Sequence, residues 1–326
     1  MGRVAEFGEL SDCIDSSEKY ICVRILEKMR VSFTEVGWRG ASGLRTQAYG
    51  VAPNGEIVRL LVGGGAYFIY FMGELIRLEG NLGDINFISR SQNKFFLLRG
   101  GSVSTSGGEV APVLIVDDSG CVDSQIKISG PCSKILVDSL SRVWAGYADG
   151  GSLPIPEKGS FLSESEFASG GYDFPGVVCW NESGAVSWRM KDSDVYSDRF
   201  LHCHVISICE GRVIAVIDQG NSLVSIDENG GMHIIETPVL APLGVAVKEG
   251  NIAFLGKYEL SETRGYRDRE VFIYEINGGS VDFKEIRSLD AYGFDISGTP
   301  KDVISFESKI FMNFGDKDNL YVMRLD

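Results

Sequence analysis

The chain has 326 residues, 44% hydrophobic and 23% charged, with 40 Gly, 9 Pro and a net charge of −14. That composition describes a folded globular protein with a buried core, and it excludes a disordered or collagen-like chain. The acidic balance argues against nucleic acid as a partner, which needs a basic face to displace counterions, and against an anionic membrane surface; it favours a basic protein partner.

Residues 1–19 are polar, without a clear period, and are expected to form a tail or a short helix within a single domain spanning 1–326. They offer no apolar core of a signal peptide, and Glu6 stands where a myristoylation motif wants Ser or Thr. Two β-like stretches follow, Tyr20–Leu26 and Arg30–Val36. Then comes a unit of four short runs: Thr46–Val51, Ile57–Val62, Ala66–Phe71 and Leu75–Leu78. The run Ala66 to Met72 is the longest apolar stretch, too short to span a bilayer. A second unit reads Asn86–Ser89, Lys94–Leu98, Pro112–Val116 and Val122–Ile128. The third is Lys134–Asp138, Arg142–Tyr147, Gly176–Asn181 and Ala185–Trp188. The fourth is His204–Ile208, Arg212–Ile217, Ser222–Ile226 and Met232–Glu236. The fifth is Gly244–Val247, Asn251–Leu255, Glu270–Ile276 and Val281–Ile286. The chain ends on three runs only, Asp302–Phe306, Lys309–Phe314 and Asn319–Leu325. Each run is rich in β-branched and aromatic residues and bounded by turn formers, which is the pattern of a strand.

Turn chemistry repeats with the strands. Asp117–Gly120, Asn181–Gly184, Asp227–Gly230 and Asn277–Gly279 each join third to fourth strand with an Asn or Asp that can bond nearby backbone and a Gly that supplies positive φ. With long loops discounted the period is roughly 40 residues, that of a propeller blade. Five full units plus three strands leave one strand missing, while N-terminal strands are spare. The expectation is a six-bladed β-propeller closed by Arg30–Val36 or Tyr20–Leu26, which removes two exposed edges at once; seven blades is the alternative.

The third unit carries the most specific motif, Val137-Asp138-x-x-x-Arg142-Val143-Trp144-x-Gly146-Tyr147. It resembles the blade motif of many bacterial propellers, in which an Asp ends the inner strand and a turn leads into a strand reading Val-Trp-Val-Gly. Such repeats occur in sensor propellers of bacterial signalling proteins and in uncharacterised bacterial cytosolic propellers. The resemblance implies fold rather than activity, and Ser141 replaces the Gly usual in that turn.

Seven cysteines without a CxxC pair point to reduced thiols in a cytoplasmic protein, with zinc or disulfide chemistry as the other reading. The long connections, Arg99–Ala111, Ala148–Pro175, Arg189–Cys203, Gly256–Arg269 and Arg287–Lys301, all fall between second and third strands or between blades. In a four-stranded meander these emerge on one face, which is expected to bind a partner. Glu164, Glu166, Tyr172, Asp173, Tyr196, Asp198, Tyr266 and Arg267 supply the aromatic and charged groups of a protein-binding surface. One pair could carry chemistry: His202 and His204, at i and i+2, project from the same side of a regular strand and could share a divalent metal such as zinc. No dinucleotide, phosphate-loop or nucleophile-elbow motif is present. Function is therefore expected to be that of a non-enzymatic, cofactor-free cytosolic binding module, with an acidic inhibitor or immunity protein as its narrower form. The alternative is a metal-dependent lyase or hydrolase with a central-channel site.

Overall fold

The computed structural model describes residues 25–30, 43–100, 103–105, 108–129, 132–147, 176–190, 203–217, 222–256, 267–289, 298–315 and 319–325. Among them every element is a strand. β1 (Ile25–Arg30) precedes blade 1, formed by β2 (Arg45–Val51), β3 (Ile57–Gly63), β4 (Ala66–Phe71) and β5 (Glu74–Leu78). Blade 2 has β6 (Ile85–Ser91), β7 (Lys94–Arg99), β9 (Gly108–Asp117) and β10 (Val122–Ser129), with the short β8 (Val103–Thr105) paired to β9. Blade 3 is β11 (Cys132–Val137), β12 (Val143–Tyr147), β13 (Val177–Trp180) and β14 (Val186–Arg189). Blade 4 is β15 (Cys203–Cys209), β16 (Arg212–Ile217), β17 (Ser222–Ile226) and β18 (Met232–Glu236). Blade 5 is β19 (Gly244–Lys248), β20 (Asn251–Leu255), β21 (Glu270–Asn277) and β22 (Ser280–Ser288). Blade 6 joins β23 (Asp302–Phe306), β24 (Lys309–Asn313) and β25 (Asn319–Arg324) to β1, in the order β23-β24-β25-β1. The protein is an all-β, six-bladed propeller.

Two sequence expectations need correction. The closing strand is Ile25–Arg30, which straddles the two stretches proposed for it and coincides with neither. Outermost strands of the other blades explain why: β14 and β22 are mostly exposed, so apolar pattern does not select the residues that pair there. The stretch Arg99–Ala111 is more than a loop, because β8 pairs with the start of β9 and extends blade 2 as a hairpin.

The first strand of each blade lies innermost; β2, β6, β11, β15, β19 and β23 neighbour one another around the axis. Sheet faces then pack blade against blade, and the described residues form an apolar cluster at each of the six junctions. Leu60 and Ile69 of blade 1 meet Ile88 and Leu97 of blade 2, all fully buried. Trp144 and Val177 of blade 3 meet Ala215 and Val224 of blade 4. Each buried Leu, Ile or Val among them contributes roughly 1.5–3 kcal/mol.

The Asx turns form as their chemistry dictates. Asp117 Oδ1 accepts from the Ser119 and Cys121 amides at 2.9 and 3.0 Å, Asn181 Oδ1 from Ser183 and Ala185 at 3.0 and 3.0 Å, and Asp227 Oδ1 from Asn229 and Gly231 at 2.9 and 2.8 Å. Three of these turns also dock on the preceding blade. Gly120 O accepts from the Glu79 amide at 3.2 Å, Glu182 takes a 2.7 Å bond from Lys94 Nζ, and Gly230 O accepts from Trp188 Nε1 at 3.1 Å.

Asp138 does the same work at the β11–β12 turn and adds a buried network. Its Oδ1 accepts from the Leu140 and Arg142 amides, both at 2.9 Å, and its Oδ2 from Arg142 Nε at 2.7 Å and Trp144 Nε1 at 2.9 Å. Ser141, in the position where a Gly was expected, holds φ of +60° and hydrogen-bonds Ser91 of blade 2 through its hydroxyl at 3.1 Å. Asp138→Ala strands the indole N–H and the guanidinium together, so it should cost about 3–5 kcal/mol. Asp138→Asn keeps an Oδ1 acceptor and should cost less. Urea titration checks both; an unaltered midpoint for Asp138→Ala would show that the network is dispensable.

Candidate functional site

All inner strands run the same way through the ring, so their first residues gather at one end. That end is also where the long connections leave: Cys132 pairs with Tyr147, Cys203 with Ile217, Gly244 with Leu255 and Asp302 with Asn313. Four inner strands carry a register shift near their start, between Thr46 and Ala48, Ile85 and Phe87, Cys132 and Lys134, and Cys203 and Val205. Bulges of this kind re-aim side chains and recur beside functional sites. Here they set Gln47, Asn86 and His204 at one end of the axis.

A cavity of about 270 Å³ opens among these strands. Its polar part is Tyr49, Asn86, Lys134, Lys301 and Asp302, from blades 1, 2, 3 and 6. The Tyr49 hydroxyl donates to the Asp302 carbonyl at 3.1 Å, and Asn313 Nδ2 donates to the Asp302 carboxylate at 3.0 Å. Burial, and then the Asp302 charge, push the Tyr49 hydroxyl above its ordinary pKa. Arg59, its register partner on β3, is buried behind it. Lys134 keeps part of its surface open. Desolvation nevertheless holds its ammonium below the usual lysine pKa, an effect opposed by Cys203 and Asp302.

The other end of the cavity is apolar. Val51, Ile208 and Phe306, late residues of their inner strands, belong with Ile304 to one cluster across blades 1, 4 and 6. The Glu307 amide donates to Ile208 O at 2.6 Å, and the Val247 amide donates to Glu307 O at 3.0 Å. Blades 4 and 6 thus bond directly across the front of blade 5, which contributes only Leu243 to the lining.

Of the residues singled out in the sequence, Glu164, Glu166, Tyr172, Asp173, Tyr196, Asp198, Tyr266 and His202 lie outside the described residues. Arg267 ion-pairs with Glu270 at the start of β21 and lies 5.2 Å from the Phe272 ring. His204 is half-buried on the β15 bulge. Among the described residues no three His, Cys, Asp or Glu converge as a metal site requires. Cys132, Cys203 and Cys209 are free thiols pushed by burial to about 12. They are poor nucleophiles and behave as small apolar residues. Tyr49, Asn86, Lys134, Lys301 and Asp302 escaped the sequence reading. Asn86, Lys134 and Asp302 share one signal, a polar residue within the first three positions of an inner strand, whereas Tyr49, in the middle of β2, has none.

No protein-family model matches the sequence, and no curated protein matches it. Several solved structures are similar to the chain at low sequence identity. They include an inactive variant of virginiamycin B lyase from Staphylococcus aureus with quinupristin, 8% identical with a TM-score of 0.48 over 92% of this chain and 99% of that one. The WD40 β-propeller domain of Doa1 is 12% identical, TM-score 0.47, over 86% and 78%. Hsv2 from Kluyveromyces lactis is 9% identical, TM-score 0.47, over 87% and 74%.

Proposed function

We propose that the protein is a non-enzymatic binding module that receives a basic protein partner on the long-connection face. The observation that supports this most is the concentration of sequence length and polar inner-strand residues at one end of the ring, while the opposite end has short turns and an apolar plug. A net charge of −14 would steer a basic partner by long-range attraction. Resemblance of the third blade to bacterial repeats supports a bacterial, cytoplasmic setting, and an immunity protein capping a basic toxin is the narrowest form of this reading.

Pull-down from source cells supplies the partner, and surface plasmon resonance then compares two triple variants. Glu164→Lys, Glu166→Lys and Asp173→Lys should slow association about tenfold or more at low salt and less as salt rises. Glu210→Lys, Glu249→Lys and Glu307→Lys, exposed on the short-turn end, should leave the rate near wild type. Equal effects of the two triples, or none from the first, would sink the face assignment.

A further inference from the structure

We propose that the axial cavity is a binding site for a small organic acid, with the carboxylate against Lys134 and an apolar body against the floor of Val51, Ile208 and Phe306. Charge at the site runs opposite to charge of the chain. The whole sequence has 31 basic and 45 acidic residues, yet the lining holds two lysines and one carboxylate. That one carboxylate, Asp302, is engaged by Asn313, which is itself buried. Among the described residues the Lys134 ammonium has no hydrogen-bond or ion-pair partner, although it lines the cavity in a desolvated position. A desolvated ammonium that feels Asp302 only through space, with no direct counter-ion, is costly, and an incoming carboxylate would supply one. Arg59 behind Tyr49 adds to the positive potential.

Size and polarity narrow the class. A volume of about 270 Å³ falls just below the roughly 300–1,000 Å³ of drug-sized sites, so the ligand is of metabolite size. The apolar floor favours a hydrocarbon or aromatic body. Phosphate fits poorly, because phosphate sites present converging backbone N–H groups or a guanidinium fork, and here the lining offers two lysines beside Asp302 and no arginine.

The test is calorimetric titration of the full chain with hexanoate, hexan-1-ol, hexylamine, acetate and inorganic phosphate. Hexanoate should bind saturably and at least about tenfold more tightly than hexan-1-ol, as a charge-assisted bond predicts. Acetate, phosphate and hexylamine should bind more weakly than hexanoate. Lys134→Met, similar in length and apolar, should keep or raise the Tm, weaken hexanoate at least about tenfold and leave hexan-1-ol within about twofold. Hexan-1-ol matching hexanoate on the wild-type protein, phosphate binding more tightly than hexanoate, no saturable binding by any probe, or hexanoate affinity untouched by Lys134→Met would each overturn the assignment. The titration needs no protein partner, so its failure leaves the face reading standing, and the converse holds too.

Discussion

A chain lacking residues 1–37 is expected to lose at least about 10 °C of Tm or to aggregate on purification. The deletion removes β1, which pairs with β25 from Ile25↔Met323 to Arg30↔Asn319. β25 is then left as an open edge, and an open edge is a template for pairing with another molecule. The loss does not stop at one ladder. β25 carries Leu320, Val322 and Met323, all buried, and its residues enter the clusters at both junctions of blade 6. At roughly 2–4 °C per kcal/mol for a chain of this size, a loss of a few kcal/mol gives the stated shift. Differential scanning calorimetry and light scattering measure it, and a synthetic peptide of residues 20–37 added in trans should recover part of the stability. A truncated protein that melts like the intact one, as a monomer, would mean that blade 6 does not depend on β1.

Gly50→Ala should be the most damaging single methyl group in the ring. Gly50 pairs with Val58 in blade 1, and β2 lies against β6 of blade 2. A Cβ there would sit 1.6 Å from the Ile88 carbonyl oxygen and 2.8 Å from its carbon, both backbone atoms in a second blade. No rotamer relieves that overlap; the two inner strands have to separate. Separation would also stretch the bond from Ser89 Oγ to Val51 O, now 2.8 Å. The cost should exceed the roughly 1–3 kcal/mol usual for overpacking. Gly279→Ala provides the control, since its Cβ would meet nothing within 4 Å, and it should stay within about 0.5 kcal/mol of wild type. Equal urea midpoints for the two variants would show that the blade 1–blade 2 contact is looser than described.

The blades were legible in the sequence because two signals coincide in most of them. Runs such as Val143–Tyr147 are buried throughout and read as strands by composition, and Asp or Asn followed by Gly marks where the chain turns. The closing strand was misplaced because Ile25–Arg30 contains Glu27, Lys28 and Met29, good helix formers, and pairing there is selected by register against β25. β8 was missed because Val103-Ser-Thr has no apolar face to reveal it. The cavity was hidden for a different reason. Lys134 and Tyr49 sit inside apolar runs, and the bulges beside them are a property of how two strands register, which one strand's sequence does not display.

The docked turns give the ring a direction in time as well as in space. Gly120 of blade 2 seats on blade 1, Glu182 of blade 3 reaches blade 2, and Gly230 of blade 4 caps Trp188 of blade 3. In each case the receiving surface is synthesised before the turn that fills it. A chain emerging from the ribosome N-terminus first can therefore fix blades 1 to 4 in order, each new one finding its template finished. β1 is the exception: made first, it has no partner until β25 appears almost 300 residues later. Throughout synthesis the molecule carries one unclaimed strand, and its last act of folding is to take that strand back.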